Sequence, residues 1–194
     1  MPNCCPKTYR GMQHAMSDVA VVVIDMLNTY QHEDAEVLAS NVADIVDPLA
    51  RLISRTRDRD DVDLVYVNDN YGDFTAEFDD LVEAAQHGER PDLISPIAPP
   101  EGCQRLLKVR HSAFYASSLD YLLTRLEAKK LILTGQVTEQ CILYTALDAY
   151  VRHFDVVIPP DAVAHIDPEL SDAALTMMNK NMHAEIVPAE KCLD

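Results

Sequence analysis

Val19-Ala-Val-Val-Val-Ile24, closed by Asp25, decides the fold class of this chain. The run is apolar without a break and almost wholly β-branched. Alternating apolarity would mean one buried face, whereas continuous apolarity means burial on both, as in the central strand of a parallel sheet. Outward from it, strand and helix patterns alternate. Val42, Ile45, Val46, Leu49, Leu52 and Ile53 recur at spacings of three and four, predicting a helix over 35–57 that Pro48 either kinks or divides. Asp63-Leu-Val-Tyr-Val67 reads as a second strand, ending in Asn68-Asp69-Asn70-Tyr71-Gly72. A short helix near 76–87 and a Pro-rich passage lead to a third strand over 104–109. A helix over 118–126 precedes a fourth strand, Lys130-Leu-Ile-Leu-Thr134. The remainder reads as a helix over 138–152, a fifth strand over 155–159, a helix over 171–182 and a short strand over 185–187. Six strands alternating with helices predict an α/β fold, a doubly wound parallel sheet covered on both faces.

Composition sets the outer limits. The 194 residues fit one domain, expected over 18–194 behind a flexible N-terminal extension at 1–17. That extension, MPNCCPKTYRGMQHAMS, has no apolar core of a secretory signal, and no apolar run approaches the ~20 residues of a membrane span. The five cysteines, at 4, 5, 103, 141 and 192, have no regular spacing, so reduced thiols in a cytoplasm are expected. A formal charge of −16 argues against nucleic acid as a partner. The expected partner is a small-molecule substrate, with no membrane, in a homodimer or homotetramer. Only five glycines are present, and none forms a dinucleotide fingerprint, a Walker loop or a G-x-S-x-G elbow.

Ligands of open α/β sheets bind beyond the carboxyl ends of the strands. The first strand delivers Asp25 there and the third delivers Lys108. The fourth leads through Gly135-Gln-Val-Thr-Glu-Gln to Cys141. Singly, each has an ordinary structural explanation: a loop cap, an edge lysine, a core thiol. A carboxylate, an ammonium and a thiol arriving together at one rim are harder to explain that way. Thr138 reads as an N-cap that would place Cys141 in a first helical turn, where free N–H groups favour a thiolate and can hold an oxyanion. Glu139 reads as structural.

These blocks, Val23-Ile-Asp25-Met-Leu-Asn28, Lys108-Val-Arg-His-Ser-Ala-Phe114, Leu133-Thr-Gly135-Gln-Val-Thr138-Glu-Gln-Cys141-Ile and Thr145-Ala-Leu-Asp148-Ala149, resemble the isochorismatase-like superfamily of cysteine hydrolases. The resemblance implies a three-layer, Rossmann-like αβα fold around a six-stranded, mostly parallel sheet of order 3-2-1-4-5-6. It implies a triad of Cys141 as nucleophile, Asp25 as proton shuttle and Lys108 as the adjacent cation. It also implies a cis peptide at Gln136-Val137 that aims the Val137 and Cys141 N–H groups into one oxyanion hole. Nicotinamidases of this superfamily bind zinc through an Asp-x-His after the second strand. Here that place reads Asp69-Asn70-Tyr71, so neither a metal nor another cofactor is expected. The retained cysteine favours metal-independent cleavage of an amide, ureido or carbamoyl C–N bond. A vinyl-ether hydrolase using Asp25 and Lys108 is the alternative, and a non-catalytic binding protein on the same fold a second. A thiol-redox protein would need a C-x-x-C, which is missing. With no carrier domain after residue 190, the two-function siderophore arrangement is not expected. Asn28, Tyr30, Asn68, Asn70, Phe114 and Tyr115 are candidate substrate contacts near strand ends, with turn chemistry as the alternative for 68–72. His111 is a weaker candidate.

Overall fold

The structure is a computed structural model that describes residues 18–194; the expected extension at 1–17, with Cys4 and Cys5, lies outside the described residues. The strands are β1 (Val19–Ile24), β2 (Val62–Asp69), β3 (Gln104–Lys108), β4 (Lys130–Gln136), β5 (Asp155–Ile158), β6 (Val163–Ala164) and β7 (Glu185–Ile186). The helices are α1 (Ala35–Arg57), α2 (Phe78–Gln86), α3 (Pro91–Ile94), α4 (Leu119–Leu126), α5 (Leu143–Val151) and α6 (Pro168–Met182). Every strand pair is parallel, and the spatial order is β3-β2-β1-β4-β5-β7, with β6 added beside β4. The expected order holds once its sixth strand is identified as β7. Among the described residues the sheet therefore has seven strands, not six. The extra one, β6, is two residues long and directly follows Pro159-Pro160-Asp161-Ala162, where the sequence reads as a turn.

β1 lies between β2 and β4, in register Ile24↔Val67 and Ile24↔Gly135. Its residues alternate between two cores, as the pleat of a strand requires. Val21 and Val23 pack on one face with Leu38, Val42, Leu49 and Leu52 of α1. Ala20, Val22 and Ile24 pack on the other with Leu119 and Leu123 of α4, Ala146 of α5 and Met178 of α6. Both faces are buried, which is why the run could be continuous. The close fit of β1 to β4 needs Gly135: its φ is +110°, and a Cβ there would collide with the Ile24 carbonyl.

α1 passes through Pro48 without dividing. α6 begins at Pro168, earlier than its apolar pattern suggests. The reason is local: the Asp167 side chain accepts hydrogen bonds from the N–H groups of Glu169 and Leu170, and Pro168 needs no partner for a missing N–H. No helix among the described residues is long and apolar enough to cross a membrane.

Candidate active site

The site is built by the register of three strand ends. The backbone N–H of Asp25 donates to the Val67 carbonyl at 3.0 Å, extending the β1–β2 ladder by one bond. Asp25 then turns the chain with a φ of +55°, a conformation that a short polar residue tolerates better than most. Next door, Asp69 and Lys108 are direct partners in the β2–β3 ladder. Asn68 fastens the turn after β1, its amide bridging the Leu27 N–H at 2.9 Å and the Leu27 carbonyl at 3.3 Å. From the other side, Gln136 donates its side-chain N–H to the Asp25 carbonyl at 2.6 Å. Asp25 is thus clamped between β2 and β4.

Lys108 has no solvent exposure. Its Nζ lies 2.9 Å from Asp25 Oδ2, 3.1 Å from Asp69 Oδ2 and 3.8 Å from Cys141 Sγ. The Asp69 backbone N–H donates to the second Asp25 oxygen at 2.8 Å, and the Cys141 thiol lies within electrostatic reach of the same carboxyl. The structure thus brings together Asp25, Lys108 and Cys141. It adds Asp69, which sequence reasoning missed as a site residue. The available signal was that β2 and β3 both end on a charged residue, Asp69 and Lys108. Only the register of two strands distant in sequence shows that these meet.

A buried charge is tolerated only when paired. Burial lifts the Asp25 carboxyl above the ordinary carboxylate range, against the pull of the Lys108 ammonium. Burial also pushes the Cys141 thiol up, and the Asp25 charge adds to this, while Lys108 and the Val137 N–H act in the opposite sense. For Lys108, burial would lower the ammonium, but Asp25, Cys141 and Asp69 outweigh it and hold it protonated. Burial and the Asp25 charge thus favour the thiol form of the sulfur, beside a carboxyl group placed to exchange its proton. This corrects the expectation that the helix end alone would favour a thiolate.

The segment after β4 differs from expectation in one more respect. Residues Thr138–Ile142 form a π-helical turn before α5, opened by Val137. Thr138 does not cap it; its hydroxyl donates to the Ala164 carbonyl of β6 at 2.9 Å. Because β6 was not foreseen, the partner of Thr138 was not either. The Gln136–Val137 peptide is cis, and the Val137 N–H faces the Cys141 sulfur. Glu139 accepts the N–H groups of Ile166 and Asp167, each at 2.9 Å, a structural tie as expected.

The isochorismatase domain family matches residues 19–191. The chain belongs to the isochorismatase family. Over 178 residues it is 34% identical to the isochorismatase family protein YaaI of Bacillus subtilis (strain 168), covering 92% of this chain and 98% of that one. An isochorismatase-like hydrolase from Alkaliphilus metalliredigens superposes with a TM-score of 0.73 at 25% identity, over 92% of this chain and 96% of that one. An N-carbamoylsarcosine amidase from Thermoplasma acidophilum does so with a TM-score of 0.72 at 26% identity, over 91% and 99%.

On this isochorismatase-family scaffold the other candidate contacts divide. Asn28 accepts the Tyr30 N–H at 2.7 Å, and Asn70 accepts the Gly72 N–H at 3.0 Å, so both side chains serve turns. Tyr30 is buried, with its hydroxyl beside Gln136. Phe114 is corrected outright. Its ring packs on Phe154 and beneath the Arg152 guanidinium, 4.7 Å away, just past the far end of α5 from Cys141. Tyr115 is exposed. His111 stacks edge-on against Tyr144, three residues after Cys141, which puts this pair on the rim of the site. The Tyr71 hydroxyl donates to the Leu27 carbonyl at 3.0 Å. Among the described residues, no cluster of three His, Cys, Asp or Glu side chains is arranged to hold a metal.

Proposed function

We propose that this chain is a cysteine hydrolase that cleaves the C–N bond of a small amide, ureido or carbamoyl compound. The observation that carries the reading is the buried Lys108 ammonium, 2.9 Å from Asp25 and 3.8 Å from the Cys141 sulfur. A cation so placed stabilises a carboxylate and a developing thiolate at once. The likeness in fold to an N-carbamoylsarcosine amidase supports the class of bond.

The reaction starts from the thiol. Asp25 takes the Cys141 proton as sulfur attacks the carbonyl carbon, and the carbonyl oxygen gains the negative charge. The N–H groups of Val137 and Cys141 are our candidates for holding that oxygen. Loss of one such donor typically costs ~10² or more in rate. Asp25 returns its proton to the nitrogen, the C–N bond breaks and the amine departs. A water then gives its proton to Asp25 and attacks the S-acyl or S-carbamoyl carbon. The C–S bond breaks, the acid or carbamate leaves, and sulfur regains the proton from Asp25. Lys108 stays protonated throughout.

The test is a panel of small amides, ureas, N-carbamoyl amines and isochorismate, with products and the intact mass of the protein followed together. The reading expects turnover of a C–N substrate, an adduct on Cys141, and a loss of ~10³-fold or more in Cys141→Ala. If Cys141→Ala keeps full activity on isochorismate and the wild type ignores the C–N compounds, the vinyl-ether reading replaces it.

A further inference from the structure

We propose that Asp69 is a positioning residue for the same site, dividing the Lys108 ammonium with Asp25 so that Asp25 stays basic enough to take the thiol proton. This rests on the hydrolase reading above. One cation facing one carboxylate would form a closed pair and hold that carboxylate a weak base. Here the ammonium faces two. Asp69 Oδ2 is 3.1 Å from Nζ and Asp25 Oδ2 is 2.9 Å from it, so neither acid has the charge to itself. The remaining Asp69 atoms fix the arrangement. Its N–H donates to Asp25 Oδ1 at 2.8 Å, and its Oδ1 accepts the Tyr71 N–H at 2.8 Å. The residue therefore orients the carboxylate with its backbone, shares the cation with one oxygen and caps its own loop with the other. Its place opposite Lys108 in the β2–β3 register brings the two side chains together.

The ionisable groups facing Lys108 are Asp25, which follows β1, Asp69 from β2 and Cys141 from the turn after β4, and Tyr71, on the loop after β2, lies within electrostatic reach of both acids. His111, on the loop after β3, is engaged with Tyr144. Removing the Asp69 charge leaves Lys108 to Asp25 and the sulfur alone. Negative charge on either then becomes easier to hold, so their proton losses move to lower pH, and Asp25 becomes the weaker base.

Asp69→Asn separates this role from loop capping, because its amide oxygen can still accept the Tyr71 N–H while the charge is gone. The measurement is the rate of Cys141 alkylation by iodoacetamide against pH, with site occupancy read by peptide mass spectrometry. No substrate is needed. The inference expects the acid-side step of the profile to fall by about one pH unit or more in Asp69→Asn, with the melting temperature nearly kept. On any substrate found in the panel, kcat falls and KM holds. Asp69→Ser, which also keeps a capping oxygen, replaces the variant if Asn fails to fold. An unchanged step in a folded variant overturns the role of Asp69 and leaves the hydrolase reading intact. A wild-type profile with a single step at the ordinary thiol value fails the hydrolase reading itself.

Discussion

The two rims of the sheet could each pass for a functional site. Where β2 and β3 begin, a cleft of about 470 Å³ is lined by Thr56, Arg57, Asp60, Glu101, Cys103 and Gln104 among others. Arg59, which also lines it, forks onto Asp61 at 2.7 and 2.8 Å, on the surface. Where the same strands end, a fully buried ammonium binds two carboxylates and approaches a thiol. The ion pair at the cleft is exposed to solvent. The other rim holds Asp25, Lys108 and Cys141, displaced from their usual proton affinities by burial and by one another. Coupled burial marks the chemistry.

The contrast breaks most visibly at Lys108. Lys108→Met leaves Asp25 and Asp69 facing each other without a cation, a buried pair stripped of one partner. Chemical unfolding should register a loss of about 3–5 kcal/mol at neutral pH. The loss should shrink as the pH is lowered and Asp25 protonates, because the neutral acid no longer needs the cation. A loss that is the same at every pH would mean that Lys108 acts only by filling space. Gly135→Ala comes next. It drives a methyl into the β1 backbone at a φ of +110° and should cost ~3 kcal/mol, seen as a lowered melting temperature. Smallest is Arg57→Ala in the open cleft, which should leave stability within about 0.5 kcal/mol and Cys141 reactivity unchanged. A clear fall in that reactivity would join the two rims and remove the contrast.

Much of this was legible beforehand because it depends on patterns within single segments. The run Val19–Ile24 announced a strand covered on both faces, and the sheet provides two buried cores for it. Asp25, Lys108 and Cys141 each stand where a strand gives way to polar sequence, so their meeting followed from topology alone. What escaped was decided between segments. Asp69 looked like turn chemistry until the register set it opposite Lys108. Thr138 carries a capping residue's signature but spends its hydroxyl on β6, a strand of two residues directly after a stretch that reads as a turn. Phe114 sits close in sequence to the site, yet the loop after β3 turns it into the core against Phe154. The raised thiol was likewise beyond local reading, since burial acts through everything packed around it.

In the proposed mechanism, Cys141 and Asp25 share one proton beside Lys108. The most direct measurement is the alkylation rate of Cys141 by iodoacetamide in wild type and Asp25→Asn across the pH range. Coupling predicts a plateau between two steps, the first above the ordinary carboxylate range, because Asp25 must lose its proton before it can accept the one on sulfur. Reactivity should therefore vanish as the pH falls through that raised value, and Asp25→Asn should erase the first step and leave only the high one. A single step near the ordinary thiol value of about 8.5, identical in both proteins, would contradict it.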